Sequence, residues 1–119
     1  MIILYISNIR TVDKSRSHFT TTLSKSLLDQ IKEIAERKNS SYNYLLEDGM
    51  NWVYETYYLK GSFSLPPKPV DRIKINTTFN TSLFNKIKSR AKRLGKNIHA
   101  NDLIEEGMKY IIGLEQDLF

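Results

Sequence analysis

The sequence predicts a mainly α-helical fold with a short two-stranded antiparallel β-ribbon, built as two strand-helix-helix units that form an intramolecular pseudo-dimer. Two observations carry this. The chain repeats itself: Leu27, Leu28, Ile31, Ala35 and Arg37 match Leu83, Phe84, Ile87, Ala91 and Arg93 at one offset. After a two-residue expansion in the second copy, Leu45, Leu46, Glu47, Gly49 and Met50 match Leu103, Ile104, Glu105, Gly107 and Met108. In each copy, moreover, a stretch of period two precedes two stretches of helical period. A unit this small cannot bury its apolar face alone, so the second copy supplies the partner.

The elements follow in order. Residues 1–17 read as an amino-terminal arm or extra strand: Met1 to Ile9 is apolar but interrupted by Ser7 and Asn8, without a basic flank and too short to span a bilayer. The first unit, 18–59, opens with Phe19, Thr21 and Leu23 alternating with His18, Thr20 and Thr22. The second, 73–119, opens with Ile75, Thr77 and Phe79 alternating with Lys74, Asn76 and Thr78. Alternation with β-branched residues predicts a strand with one buried face and one outward face. Ser24 and Asn80 are matching N-caps. Asn39 and Gly95 stand just past the first helices, where either tolerates the left-handed C′ conformation. Second helices then start near Ser41 and His99. Gly49 and Gly107 lie inside them, where glycine costs about 1 kcal/mol against alanine, so close helix packing is the expected reason. Between the units, Lys60 to Arg72 carries the glycine and prolines of an extended linker. Around ten residues at roughly 3.1 Å each reach about 30 Å, enough for the second unit to fold back on the first.

Composition narrows the chemistry. The 119 residues include no cysteine, which removes disulfides, thiolate nucleophiles and Cys-based zinc sites. His18 and His99 lack partners at ligand spacing, so no metal or other cofactor is expected. Glu47/Asp48 and Glu105/Glu106 are adjacent on their helices, point in different directions, and read as ordinary solvated charges. With no nucleophile or phosphate-binding loop beside them, no enzyme is expected. The formal net charge is +5, and every charged residue between Asp71 and Asp102 is basic. Lys86, Lys88, Arg90, Lys92 and Arg93 read as an exposed helix face, part of which attracts phosphates nonspecifically. The second helix of the first unit is rich in aromatics, with Tyr42, Tyr44, Trp52, Tyr54, Tyr57 and Tyr58; those in excess of the core form a surface for a protein partner.

Paired antiparallel about a pseudo-twofold axis, the two strands would display His18, Thr20, Thr22, Lys74, Asn76 and Thr78 on one face. A two-stranded ribbon fits the major groove, where Asn76 can pair with adenine and Lys74 or His18 can approach guanine or phosphate. Both TTTLSKSLLDQIKEIAERKNSSYNYLLEDGM and NTTFNTSLFNKIKSRAKRLGKNIHANDLIEEGM resemble the ribbon-helix-helix unit of the Arc/MetJ/CopG repressors. The resemblance implies that the paired strands read bases through those six residues. It also implies that the second-helix starts, at Ser41, Tyr42 and Asn43 and at His99, Ala100 and Asn101, hold DNA phosphates. Two units in one chain are similar in plan to TraY-type relaxosome accessory proteins. The expected function is sequence-specific binding of double-stranded DNA, as a transcriptional repressor or regulator of plasmid or phage type, with room for cooperative self-association on DNA. The expected setting is cytoplasmic and nucleoid-associated, in a bacterial or phage-infected cell, with no membrane partner. Alternatives are an oriT-binding relaxosome accessory and an antitoxin-type protein-interaction module.

Overall fold

A computed structural model describes residues 15–56 and 66–117 of the chain. The amino-terminal arm up to residue 14, Tyr57, Tyr58 and linker residues 60–65 lie outside the described residues. Among the described residues, six elements follow one another: β1 (Arg16–Ser24), α1 (Lys25–Arg37), α2 (Tyr42–Thr56), β2 (Arg72–Asn80), α3 (Thr81–Leu94) and α4 (Ala100–Asp117). The protein is therefore mainly helical, with a two-stranded antiparallel sheet.

The register pairs Thr20 with Asn76, His18 with Thr78 and Thr22 with Lys74. Thr20 and Asn76 are the same position in the two copies, so the ribbon is symmetric about the one pair in which equivalent residues face each other. Alternation sorts the side chains as expected. Leu23, Ile75, Thr77 and Phe79 are buried, and Phe19 packs against the core from the same side. Phe19 and Phe84 stack with ring centroids 4.0 Å apart.

Both expected N-caps form: Ser24 Oγ accepts from Leu27 N–H at 3.3 Å and Asn80 Oδ1 from Leu83 N–H at 2.9 Å. The C-terminal ends differ. Asn39 has φ 56, the left-handed conformation, and Ser40 N–H closes on the Ala35 carbonyl at 2.9 Å. Gly95, expected to do the same, has φ 165, which is extended backbone. Here the longer loop buries Ile98, whose side chain lies close to Gly95.

The helices α2 and α4 make the largest helix-helix contact. They cross at Gly49 and Gly107: a Cβ built on Gly49 would stand 2.6 Å from the Gly107 carbonyl carbon, and one on Gly107 would stand 2.5 Å from that of Gly49. This is the close packing the repeated glycines foretold. Around the crossing, Leu46, Met50, Val53, Leu103, Ile104 and Met108 are almost completely excluded from solvent and form the centre of the core. The linker's last residues are tied down rather than free. Lys25 N–H donates to the Asp71 carbonyl at 3.0 Å, and Lys68 reaches the Asn97 carbonyl at 3.1 Å.

Candidate nucleic-acid interface

The outward face of the ribbon is made of three cross-strand pairs, His18 with Thr78, Thr20 with Asn76 and Thr22 with Lys74. All are solvent-exposed except Thr78, which is half-buried. Each of these side chains can form hydrogen bonds and none is acidic.

Two of the six are held from behind. Asn43, in the first turn of α2, donates from Nδ2 to the Thr78 carbonyl at 3.1 Å and to Thr78 Oγ1 at 3.2 Å. Asn101, its counterpart in α4, donates to Thr22 Oγ1 at 3.1 Å. Each threonine hydroxyl thus has a lone pair engaged by an amide, which leaves its proton to point outward as a donor. The crossed pattern, the second helix of one half gripping the strand of the other, places the helix starts beside the ribbon face. Ser41, Tyr42 and Asn43 head one helix, and His99, Ala100 and Asn101 the other. His99 N–H is itself taken by the Asp102 carboxylate at 2.8 Å, so the free end of α4 begins at Ala100 and Asn101. Ser41 Oγ donates to Asn43 Oδ1, whereas His99 stands where Ser41 would, and the buried Asn101 Oδ1 has no hydrogen-bond partner among the described residues.

A second matched set anchors the ribbon ends. Glu105 Oε2 accepts from Ser24 N–H at 2.8 Å and from Arg72 Nε at 3.0 Å. Glu47 Oε2 accepts from Asn80 N–H at 2.6 Å and lies 3.0 Å from the Arg16 guanidinium. Glu47 and Glu105 are therefore not solvated helix charges. Each sits under the end of the strand from the other half, where it neutralises an arginine and satisfies the N-cap residue's amide. Asp48 is exposed, as expected, and Glu106 pairs with Lys109 at 2.8 Å. The hydrogen bond to Glu105, with further help from Asp102, holds the Arg72 guanidinium above its ordinary value against the opposing effect of burial. Burial pushes Asp102 up, but Arg72, the His99 amide and Lys68 outweigh it and keep the carboxyl below the usual range. Asp71 is also lowered, by Ser26 N–H and then the Ser24 hydroxyl.

The basic helix α3 is partly as expected. Lys86, Lys88, Lys92 and Arg93 are exposed, but Arg90 is buried at 3% and lies 4.2 Å from the centroid of the Tyr54 ring. It occupies the position of Ile34 in the other half, and a planar guanidinium can fill such a place when an aromatic face covers it. The aromatic residues of α2 divide similarly. Trp52 stacks on Tyr110 with centroids 4.1 Å apart, while Tyr44 is 52% exposed with Arg16 over its ring.

Sequence reasoning assigns no role to Arg16 or Arg72 and expects Glu47 and Glu105 to be solvated charges. A signal was present: each arginine stands at the same place at the start of its strand, and each glutamate at the same place in its helix. Among the described residues there is no cluster of His, Cys, Asp and Glu able to hold a metal ion, and no helix long and apolar enough to cross a membrane. Comparison with family models, curated proteins and solved structures finds no match to this chain.

Proposed function

We propose that the chain is a single-chain pseudo-dimer of ribbon-helix-helix units that binds double-stranded DNA sequence-specifically by laying its ribbon in the major groove. It would act as a transcriptional repressor or regulator of plasmid or phage type. The observation that carries this reading is the symmetric outward face. Three cross-strand pairs of hydrogen-bonding, non-acidic side chains are centred on Thr20 and Asn76, with a helix start on either side. The ribbon supplies direct readout, since short polar side chains on two strands can reach base edges. The first turns of α2 and α4 supply phosphate contacts through main-chain amides and the helix dipole. Exposed Lys86, Lys88, Lys92 and Arg93 add salt-dependent attraction.

The preferred site should be an imperfect palindrome, because one strand offers His18, Thr20 and Thr22 and the other Lys74, Asn76 and Thr78. Selection of bound sequences from a random duplex pool tests this. Wild type should enrich two unlike half-sites. Asn76→Ala should relax base preference near the centre by about 1–3 kcal/mol, the worth of a bidentate amide-adenine contact. Failure to enrich any motif would remove the function, and symmetric enrichment would remove the strand-by-strand reading.

A further inference from the structure

The halves differ sharply where the second helices begin. Beside the first turn of α4 lies a cavity of about 380 Å³, within the range of small-molecule sites. Phe19, Phe84, Ala91 and Ile98 form its apolar wall, and Lys88 and Lys92 stand at its polar edge. No carboxylate lines it. Asp102, in the same first turn, is engaged by Arg72, Lys68 and the His99 N–H.

The corresponding place in the first half holds a tyrosine. Tyr42 begins α2 where Ala100 begins α4, is packed against the core, and has Lys32 above its ring at 5.1 Å. Three of the surrounding positions keep their character, Lys32 corresponding to Lys88, Ala35 to Ala91 and Leu28 to Phe84, whereas Lys92 stands where the first half has Glu36. With alanine in place of tyrosine, Lys88 lies instead over the Phe84 ring, 5.8 Å from its centroid. A space left by a missing aromatic side chain, with apolar walls, accepts a free aromatic molecule of similar shape.

We infer that this cavity is a binding site for a small aromatic carboxylate. The ring takes the place that the Tyr42 phenol takes in the other half, against Phe84 and Phe19, and the carboxylate is held by Lys88 and Lys92 in charge-assisted hydrogen bonds.

The probe is 4-hydroxyphenylacetate, a tyrosine side chain carrying a carboxylate, titrated into the full chain and followed by NMR. Saturable shifts are expected at Phe19, Phe84, Ala91 and Ala100. Ala100→Tyr, which installs the residue the other half already accommodates, should abolish them, and Ala100→Leu serves if that variant does not fold. Lys88→Gln with Lys92→Gln should weaken binding about tenfold or more, and 4-methylphenol, the same ring without the charge, should bind the wild type correspondingly less tightly. Absence of saturable shifts in wild type overturns the site. So do unchanged shifts in the filled variant, or equal affinity for the uncharged phenol. The titration contains no nucleic acid, so its outcome does not depend on whether the ribbon enters a groove.

Discussion

Replacing Gly49 by alanine tests whether the α2-α4 crossing holds the core together. The new Cβ would stand 2.6 Å from the Gly107 carbonyl carbon and 2.7 Å from its oxygen, where ordinary contact begins at 3.4 Å. Both neighbours are backbone atoms, so no side chain can swing aside. The helices must part by nearly an ångström. Leu46, Met50, Val53, Leu103, Ile104 and Met108 would lose contact around the crossing, and overpacking of this kind costs about 1–3 kcal/mol or more. Alanine returns about 1 kcal/mol of helix propensity. With backbone on both sides the upper end of the range applies, and a net loss of roughly 2 kcal/mol is expected. Urea unfolding followed by circular dichroism should show the midpoint fall by about 1–2 M at the slopes usual for small proteins. Gly107→Ala should behave alike, and the double variant should lose less than the sum, because helices parted for one Cβ have begun to make room for the other. Gly113→Ala is the matched control: nothing lies within 4 Å of its Cβ, so propensity alone acts and stability should rise by up to about 1 kcal/mol. If Gly49→Ala proves neutral or stabilising, the two backbones are not in contact and the crossing is wrong.

The remaining expectations concern the polar anchors and the chain's self-sufficiency. Glu105→Ala leaves Arg72 and the Ser24 amide without their shared partner and should cost roughly 3–5 kcal/mol in denaturant titrations, whereas Glu106→Ala should cost no more than about 1 kcal/mol. Asp71 and Asp102 are lowered in the folded protein, so their stabilisation is complete above the unfolded carboxylate value of about 3.9 and is lost as pH falls through the folded values. Urea midpoints should therefore drop below about pH 4, less steeply in Asp102→Asn. Asp48, exposed but partly desolvated by its neighbours, has the opposite sign, raised by that desolvation and then by Glu47, so Asp48→Asn should add a little stability at neutral pH and none in acid. Both strands belong to one chain, so the unfolding midpoint should not move over about a hundredfold change in protein concentration; a midpoint that climbs would mean pairing between chains.

Periodicity made the fold legible because each element obeys one rule at a time. Alternation placed Phe19, Thr21 and Leu23 opposite His18, Thr20 and Thr22, and the register preserved that sorting. The caps at Ser24 and Asn80 are local and needed no tertiary information. Gly95 shows where local reasoning stops: glycine permits the left-handed conformation but does not compel it, and the buried Ile98 decided the exit of the chain. Arg90 shows the same limit for charge, since its burial depends on Tyr54, a residue on another helix. For the candidate site, the six outward residues were readable because they need only the strand's period and the pairing. The carboxylates of Glu47 and Glu105 were misread because their partners, the arginine that opens the strand of their own half and the amide that closes the strand of the other, are far away in sequence. A charged residue repeated at a core-facing register is the feature that distinguishes them from Asp48.

The differences between the halves are as informative as the repeat. The arrangement Arg16, Glu47 and Asn80 N–H recurs as Arg72, Glu105 and Ser24 N–H, and the grip of Asn43 on Thr78 recurs as that of Asn101 on Thr22. These sets join the strand of one half to the second helix of the other, so a change in either breaks the contact between halves. Thr22 and Thr78, which these grips hold, are the matched pair of the outward face; the other four outward positions carry no such obligation. His18 stands where the second half has Lys74, Thr20 where it has Asn76, and Tyr42 where it has Ala100; the strand residues end in solvent, and Ala100 stands at the rim of a cavity. In a dimer of identical chains every substitution appears on both sides of the axis. Covalent linkage removes that constraint: the anchors must still match to keep the ribbon symmetric, while each outward face can be altered alone. The ribbon face and the second-helix starts are two of the places where the halves diverge, and Arg90 in place of Ile34 is a third, inside the core.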